Sequence, residues 1–142
     1  METTLFELPK IARYARARFT AEEVDQIAIV EGDMLKDAIP GGYDAIILAN
    51  VLHVFSIGQN RALLKRLRDA AQAGCRLLLV DFFLDETCTQ PVAAALMSGE
   101  FLTHANGRSY SAAEISALAA ETGWRVVDQR PLAGPVSLLV VE

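Results

Sequence analysis

Two apolar runs decide the fold: Gly41–Ser56, GGYDAIILANVLHVFS, and Gly74–Phe83, GCRLLLVDFF. Tyr43–Ala49 in the first and Arg76–Phe83 in the second are nearly continuous in apolar side chains. Short runs without polar alternation are the pattern of strands buried on both faces of a parallel sheet. Between them Gln59–Ala73 places Leu63, Leu64, Leu67, Ala70 and Ala71 on one helical stripe, with Gly74 as its stop. Strand, helix and strand in that order predict an α/β sheet.

Upstream, Thr3–Leu8 reads as a strand, and Pro9 follows it as a suitable first helical residue. Ile11, Ala12, Tyr14, Ala15 and Phe19 recur at helical spacing, and Ile27–Glu31 is a second strand. Downstream, Ala93–His104 predicts a helix rich in small residues. Ser111-Ala-Ala-Glu114 is a capping box opening a helix through Thr122, which Gly123 ends. Trp124–Arg130 and Val136–Val141, separated by Pro131 and Gly134–Pro135, predict a closing antiparallel hairpin. No repeat or long linker interrupts the 142 residues, so a single domain is expected.

Composition removes several classes of function. A chain with 52% hydrophobic and 22% charged residues has the makings of a core and is not disordered. Eighteen acidic against 13 basic residues give a net charge of −5, which argues against a nucleic-acid partner. The basic cluster Lys10, Arg13, Arg16 and Arg18 reads as a solvated helix face. Cys75 sits in an apolar run and Cys88 stands alone, so neither a disulfide scaffold nor a zinc site is expected. No metal is called for. No apolar stretch reaches the roughly 20 residues of a membrane span, and METTLFELPK is not a signal peptide. A soluble cytoplasmic domain is the expectation.

In open α/β sheets, ligands bind beyond the carboxyl ends of the strands. The residues there are Glu7, Asp33–Met34, Asn50 through His53, and Asp81. A carboxylate after the first strand suits the two hydroxyls of a ribose, since one ionised carboxylate accepts both hydrogen bonds. An Asp followed by Met suits adenine, with one group for the exocyclic amine and one for the ring face.

The ordered set FELP, EGDM, GGYDAIILANVLHVFS, GCRLLLVDFFLDE and GRSYSAAEISALAAETGW resembles the catalytic domain of small-molecule O-methyltransferases that use S-adenosylmethionine. These are the plant caffeate and flavonoid enzymes, hydroxyindole O-methyltransferase and bacterial polyketide-tailoring relatives. The resemblance covers essentially the whole chain and implies a Rossmann-like, mostly parallel sheet. By position it makes Glu7 the ribose ligand and Asp33 and Met34 the adenine contacts, with Asn50 beside them on the cofactor side. It makes His53 the general base that takes a proton from the acceptor hydroxyl, and Asp81 an acidic neighbour of that histidine. Met97, Phe101 and His104 then fall in the acceptor pocket. An imidazole can take the proton of a phenol as oxygen attacks a methyl group, and the sulfonium donor needs no metal. The implied partner is a small-molecule acceptor, most simply phenolic.

The sequence also departs from the family. Val54 and Phe55 stand where Asp and an aromatic usually follow the histidine, and Arg108–Ser109 stands where a further carboxylate is usual. No G-x-G-x-G run occurs, and the family's first central strand and its helical dimerisation domain have no counterpart. The expectation is therefore a partial methyltransferase domain. Strands Thr3–Leu8 and Tyr43–Ala49 are left with unpaired edges, so that either these edges close on each other, an upstream fragment or a second copy fills the gap, or the fold is only marginally stable. The alternative is a non-catalytic remnant or interaction subunit.

Overall fold

The computed structural model describes residues 2–142, excepting the side chains of Ala21 and Val24. The chain divides into two compact units, Met1–Gly41 and Gly42–Glu142.

In the first unit β1 (Thr3–Glu7) passes through α1 (Pro9–Arg18) and α2 (Ala21–Gln26) to β2 (Ile27–Glu31). The two strands run parallel in register from Thr3 opposite Ile27 to Glu7 opposite Glu31, an arrangement that needs a crossover rather than a hairpin. Pro9 opens α1, where its missing N–H leaves no bond unmade. The small Ala12 is fully buried and lets the helix rest on both strands. Lys10, Arg13, Arg16 and Arg18 form the exposed face expected, with Arg16 paired to Glu31. Helix α2 lies in a stretch without clear periodicity and is held by its ends. Thr20 Oγ1 accepts from the Glu23 amide, and the Glu23 carboxylate accepts from the Thr20 amide at 2.8 Å.

The second unit carries a sheet in the order β3 (Ala45–Ala49), β4 (Arg76–Asp81), β6 (Ser137–Val141), β5 (Val126–Pro131). β3 and β4 are parallel across α3 (Ile57–Ala70), and β6 is antiparallel to both β4 and β5. Leu77 and Leu79 lie opposite Val141 and Leu139, all four fully buried. Leu63, Leu64 and Leu67 of α3 add to this core, as do Ile115, Leu118 and Ala119 of α5 (Ala112–Glu121), and the two helices pack together. Trp124 ties the start of the hairpin to α3, its indole donating to the Leu64 carbonyl at 2.9 Å. Helix α4 (Val92–His104) is mostly apolar but presents no single apolar face, with Ala94 buried and Val92, Leu96 and Leu102 exposed.

Several boundaries move from the sequence reading. α3 begins at Ile57 rather than Gln59, because Ser56 and Gln59 form a capping box. It ends at Ala70, and Gly74 serves the following turn with a φ of 79°. β3 starts at Ala45 and β4 stops at Asp81. β3 is not buried on both faces as its apolar run predicts. Ile47 is 64% exposed and Ala45 and Ala49 are exposed with it, since β3 is the outer strand and that face is uncovered. Among the described residues β1 bonds only to β2, and β3 only to β4. Each keeps one open edge among the described residues. No described helix is long and apolar enough to cross a membrane.

Leu79→Ala should lower the unfolding free energy by about 3 kcal/mol, measured by denaturant titration. Leu96→Ala, at a side chain 74% exposed, should change it by less than about 0.5 kcal/mol.

Candidate active site

Parallel pairing of β3 and β4 brings their carboxyl ends side by side. The Asn50 amide extends the ladder one step, donating to the Val80 carbonyl at 2.9 Å. Asn50 then takes a left-handed φ of 57°, a conformation asparagine tolerates, and turns the chain out of the sheet. The following turn, a single 3-10 turn over Leu52–Val54, carries His53 beside the end of β4.

Asp81 holds that turn. It is 3% exposed, and one carboxylate oxygen accepts from the amides of Leu52 and His53 at 3.0 and 3.3 Å. The other accepts from His53 Nδ1 at 2.6 Å and the Phe82 amide at 2.8 Å. A carboxylate serving four N–H groups acts only as an acceptor, so Nδ1 is the donor. In the neutral ring the lone pair then lies on Nε2.

Aromatic rings fix the plane of the imidazole. Phe101 of α4 stacks on it with centroids 3.8 Å apart, and Phe82 meets its edge at 5.7 Å. Phe82 and Phe101 are themselves 5.5 Å apart. His53 is thereby buried to 9% exposure.

Of the residues singled out from sequence in this unit, the structure joins His53, Asp81 and Phe101 directly and places Asn50 at the adjoining strand end. Met97 is half-buried on α4. His104 is largely exposed, and its partners are Glu100 and Thr103 of its own helix. A cavity of about 330 Å³ runs along Ala95, Ser98 and Leu102 of the same helix and does not include His53. The Arg108 guanidinium at its rim is engaged by Glu114 at 3.1 Å and lies 4.4 Å over the Tyr110 ring.

Four residues of this neighbourhood were not read from sequence: Phe82, Asn60, Gly107 and Tyr110. Asn60 had a signal, because it is a polar residue on the apolar stripe of α3, one turn before Leu63 and Leu64. Gly107 lies against the backbone of His53, where an added Cβ would overlap the His53 carbonyl group. Burial raises the Tyr110 phenol above its ordinary value, so it remains a hydrogen-bond donor. Hydrogen bonding from Arg108 holds Glu114 below its ordinary value of 4.5. Burial raises Cys75, and both cysteines are free thiols.

In the first unit Glu7, Asp33 and Met34 gather at the ends of neighbouring parallel strands. One Glu7 oxygen accepts from the Leu8 amide at 2.9 Å. Gly32 donates to the Glu7 carbonyl at 2.9 Å and packs against the Phe6 ring, where a Cβ would come within 2.6 Å of Cζ. Asp33 accepts from the Leu35 amide at 2.9 Å and pairs with Lys36 at 3.0 Å, and Met34 beside it is half-buried. A carboxylate at one strand end and an Asp–Met pair at the next fit the ribose and adenine of an adenosine group. No group of described metal-ligating residues is present.

The sequence model of the O-methyltransferase domain matches residues 1–125. The chain belongs to this O-methyltransferase family. It is 35% identical to acetylserotonin O-methyltransferase of Gallus gallus, over 89% of this chain and 36% of that one. It is 34% identical to the 3-hydroxy-5-methyl-1-naphthoate 3-O-methyltransferase of Streptomyces sahachiroi, over 78% of this chain and 32% of that one. The crystal structure of human N-acetylserotonin methyltransferase with S-adenosylmethionine matches with a TM-score of 0.90 at 28% identity, over 99% of this chain and 40% of that one. The chain thus spans about two-fifths of its relatives or less.

Asp81→Ala strands three backbone amides and frees the imidazole; denaturant unfolding should register a loss of about 3 kcal/mol or more. Stability should also fall in acid. Glu114 has a lowered folded pKa, so its contribution is present above its ordinary value and lost as pH falls through the folded one. Unfolding midpoints followed from about pH 6 to 3 should show a shallower decline in Glu114→Gln.

Proposed function

We propose that this chain is the adenosine- and acceptor-binding part of an S-adenosylmethionine-dependent O-methyltransferase acting on a hydroxyl of a small aromatic molecule. The observation that carries the reading is the buried His53–Asp81 pair, 2.6 Å apart at the carboxyl ends of adjacent parallel strands. Glu7 would hold the ribose hydroxyls, and Asp33 and Met34 the adenine. Asn50 is assigned to the cofactor side, and Met97 and His104 to the acceptor pocket. The bound sulfonium supplies an activated methyl group.

Nε2 of His53 would accept the hydroxyl proton of the acceptor. Asp81 would steady the imidazolium that results, and Phe82 and Phe101 hold the ring in plane. General-base assistance of this kind is worth about 10²–10⁴-fold in rate. A cytoplasmic setting belongs to the same reading, supported by two free thiols. So does completion of the sheet by a further segment or a second copy, supported by the open edges of β1 and β3.

A second reading, a non-catalytic remnant, is favoured by Val54 directly after His53, where the family usually carries an Asp. Calorimetric titration with S-adenosylhomocysteine separates the two. Binding at roughly micromolar strength, with methylation of N-acetylserotonin or a hydroxynaphthoate that falls at least about 10²-fold in His53→Ala, supports the enzyme. No heat up to about millimolar ligand overturns it in favour of the remnant.

A further inference from the structure

Asp81 secures the His53 turn through its N–H groups, and its carbonyl groups have a separate set of partners. The Asn60 side-chain amide, fully buried in the first turns of α3, donates to the carbonyls of Leu52 at 2.9 Å and Phe55 at 3.3 Å. The Tyr110 hydroxyl, from the loop before α5, donates to the same Phe55 carbonyl at 2.6 Å. Tyr110 is 3% exposed and its ring is braced by the Arg108 guanidinium. Gly107 closes against the His53 carbonyl between them. The turn is therefore gripped on its amide side by one carboxylate, and two neutral donors hold the carbonyls of Leu52 and of Phe55, the residue that closes it.

We propose that Asn60 and Tyr110 are positioning residues for His53, a clamp that fixes where the imidazole stands relative to Asp81 and the acceptor hydroxyl. The choice of residue types supports this over simple core filling. A buried amide among Leu63, Leu64 and Leu67 is costly unless its donors are used, and the Asn60 amide donates to the carbonyl of Leu52 in the His53 turn and to that of Phe55 just after it, beside the Tyr110 hydroxyl. Among the described residues its carbonyl oxygen has no partner, so its hydrogen bonding is all at the donor end. Tyrosine in place of phenylalanine at position 110 adds only the hydroxyl, and that hydroxyl goes to the carbonyl that closes the turn. Loss of the Tyr110 hydroxyl leaves the Phe55 carbonyl to Asn60 alone, and loss of the Asn60 amide leaves the Leu52 carbonyl to the Phe55 amide alone, so either loss loosens the turn.

This inference rests on His53 having the role proposed above, but its test needs neither cofactor nor turnover. The probe is the Nδ1 proton of His53 in the full chain, read by NMR as its exchange rate with water, beside the amides of β4 as a measure of overall stability. Tyr110→Phe and Asn60→Ala should each speed exchange of the His53 ring proton about fivefold or more beyond any change in β4. Trp124→Phe removes a buried bond of the same kind from a different part of the unit, and it should not. Equal acceleration in all three variants, or an unchanged ring proton in Tyr110→Phe, would overturn the clamp. Tyr110→Phe keeps the test decisive should Asn60→Ala fail to fold. Failure to bind S-adenosylhomocysteine would sink the enzyme reading and leave this result standing.

Discussion

The second unit is organised around one buried carboxylate. Asp81 ends β4, and its four accepted hydrogen bonds join that strand end to the turn after β3 and to the imidazole it carries. A carboxylate with 3% exposure tolerates burial only when its oxygens are served by donors. The requirement works in both directions. The sheet register sets where Asp81 stands, and Asp81 dictates the path of Leu52–Val54 and which nitrogen of His53 bears the proton. The aromatic stack of Phe101 and Phe82 then has a fixed ring to pack on.

Much of this was legible in the sequence, for identifiable reasons. Ile27–Glu31 appears as a strand at its expected limits, and Ser111–Glu114 caps α5 as its box predicts, because both signals are local. His53 and Asp81 were found from their place after apolar runs, since strand ends in a parallel sheet converge. What failed depended on contacts distant in sequence. The exposed face of β3 is set by what covers it, which the run YDAIILA does not encode. α2 was missed because six residues held by a capping box show no period. The donors on the turn's carbonyls come from α3 and from the loop before α5, and only the odd polarity of Asn60 on its stripe hinted at them.

The candidate site residues fall in both units. Glu7, Asp33 and Met34 lie in the unit of the parallel pair β1–β2, and Asn50, His53, Asp81 and Phe101 in the unit of the four-stranded sheet. Within each, the same rule brings the polar groups together: parallel neighbours end at one level, and the backbone leaves the sheet there. An unpaired strand edge presents amides and carbonyls that must find water or another strand. Among the described residues both β1 and β3 carry such an edge.

The central claim is that Asp81 fixes the imidazole with its proton on Nδ1 and its lone pair on Nε2, ready to take a proton from an acceptor. The direct measurement is the ¹⁵N NMR tautomer assignment of His53 in the folded chain, at a pH where the ring is neutral. A protonated Nδ1 and a bare Nε2 are the result this account predicts. A ring protonated on Nε2, with Nδ1 bare against the Asp81 carboxylate, would contradict it.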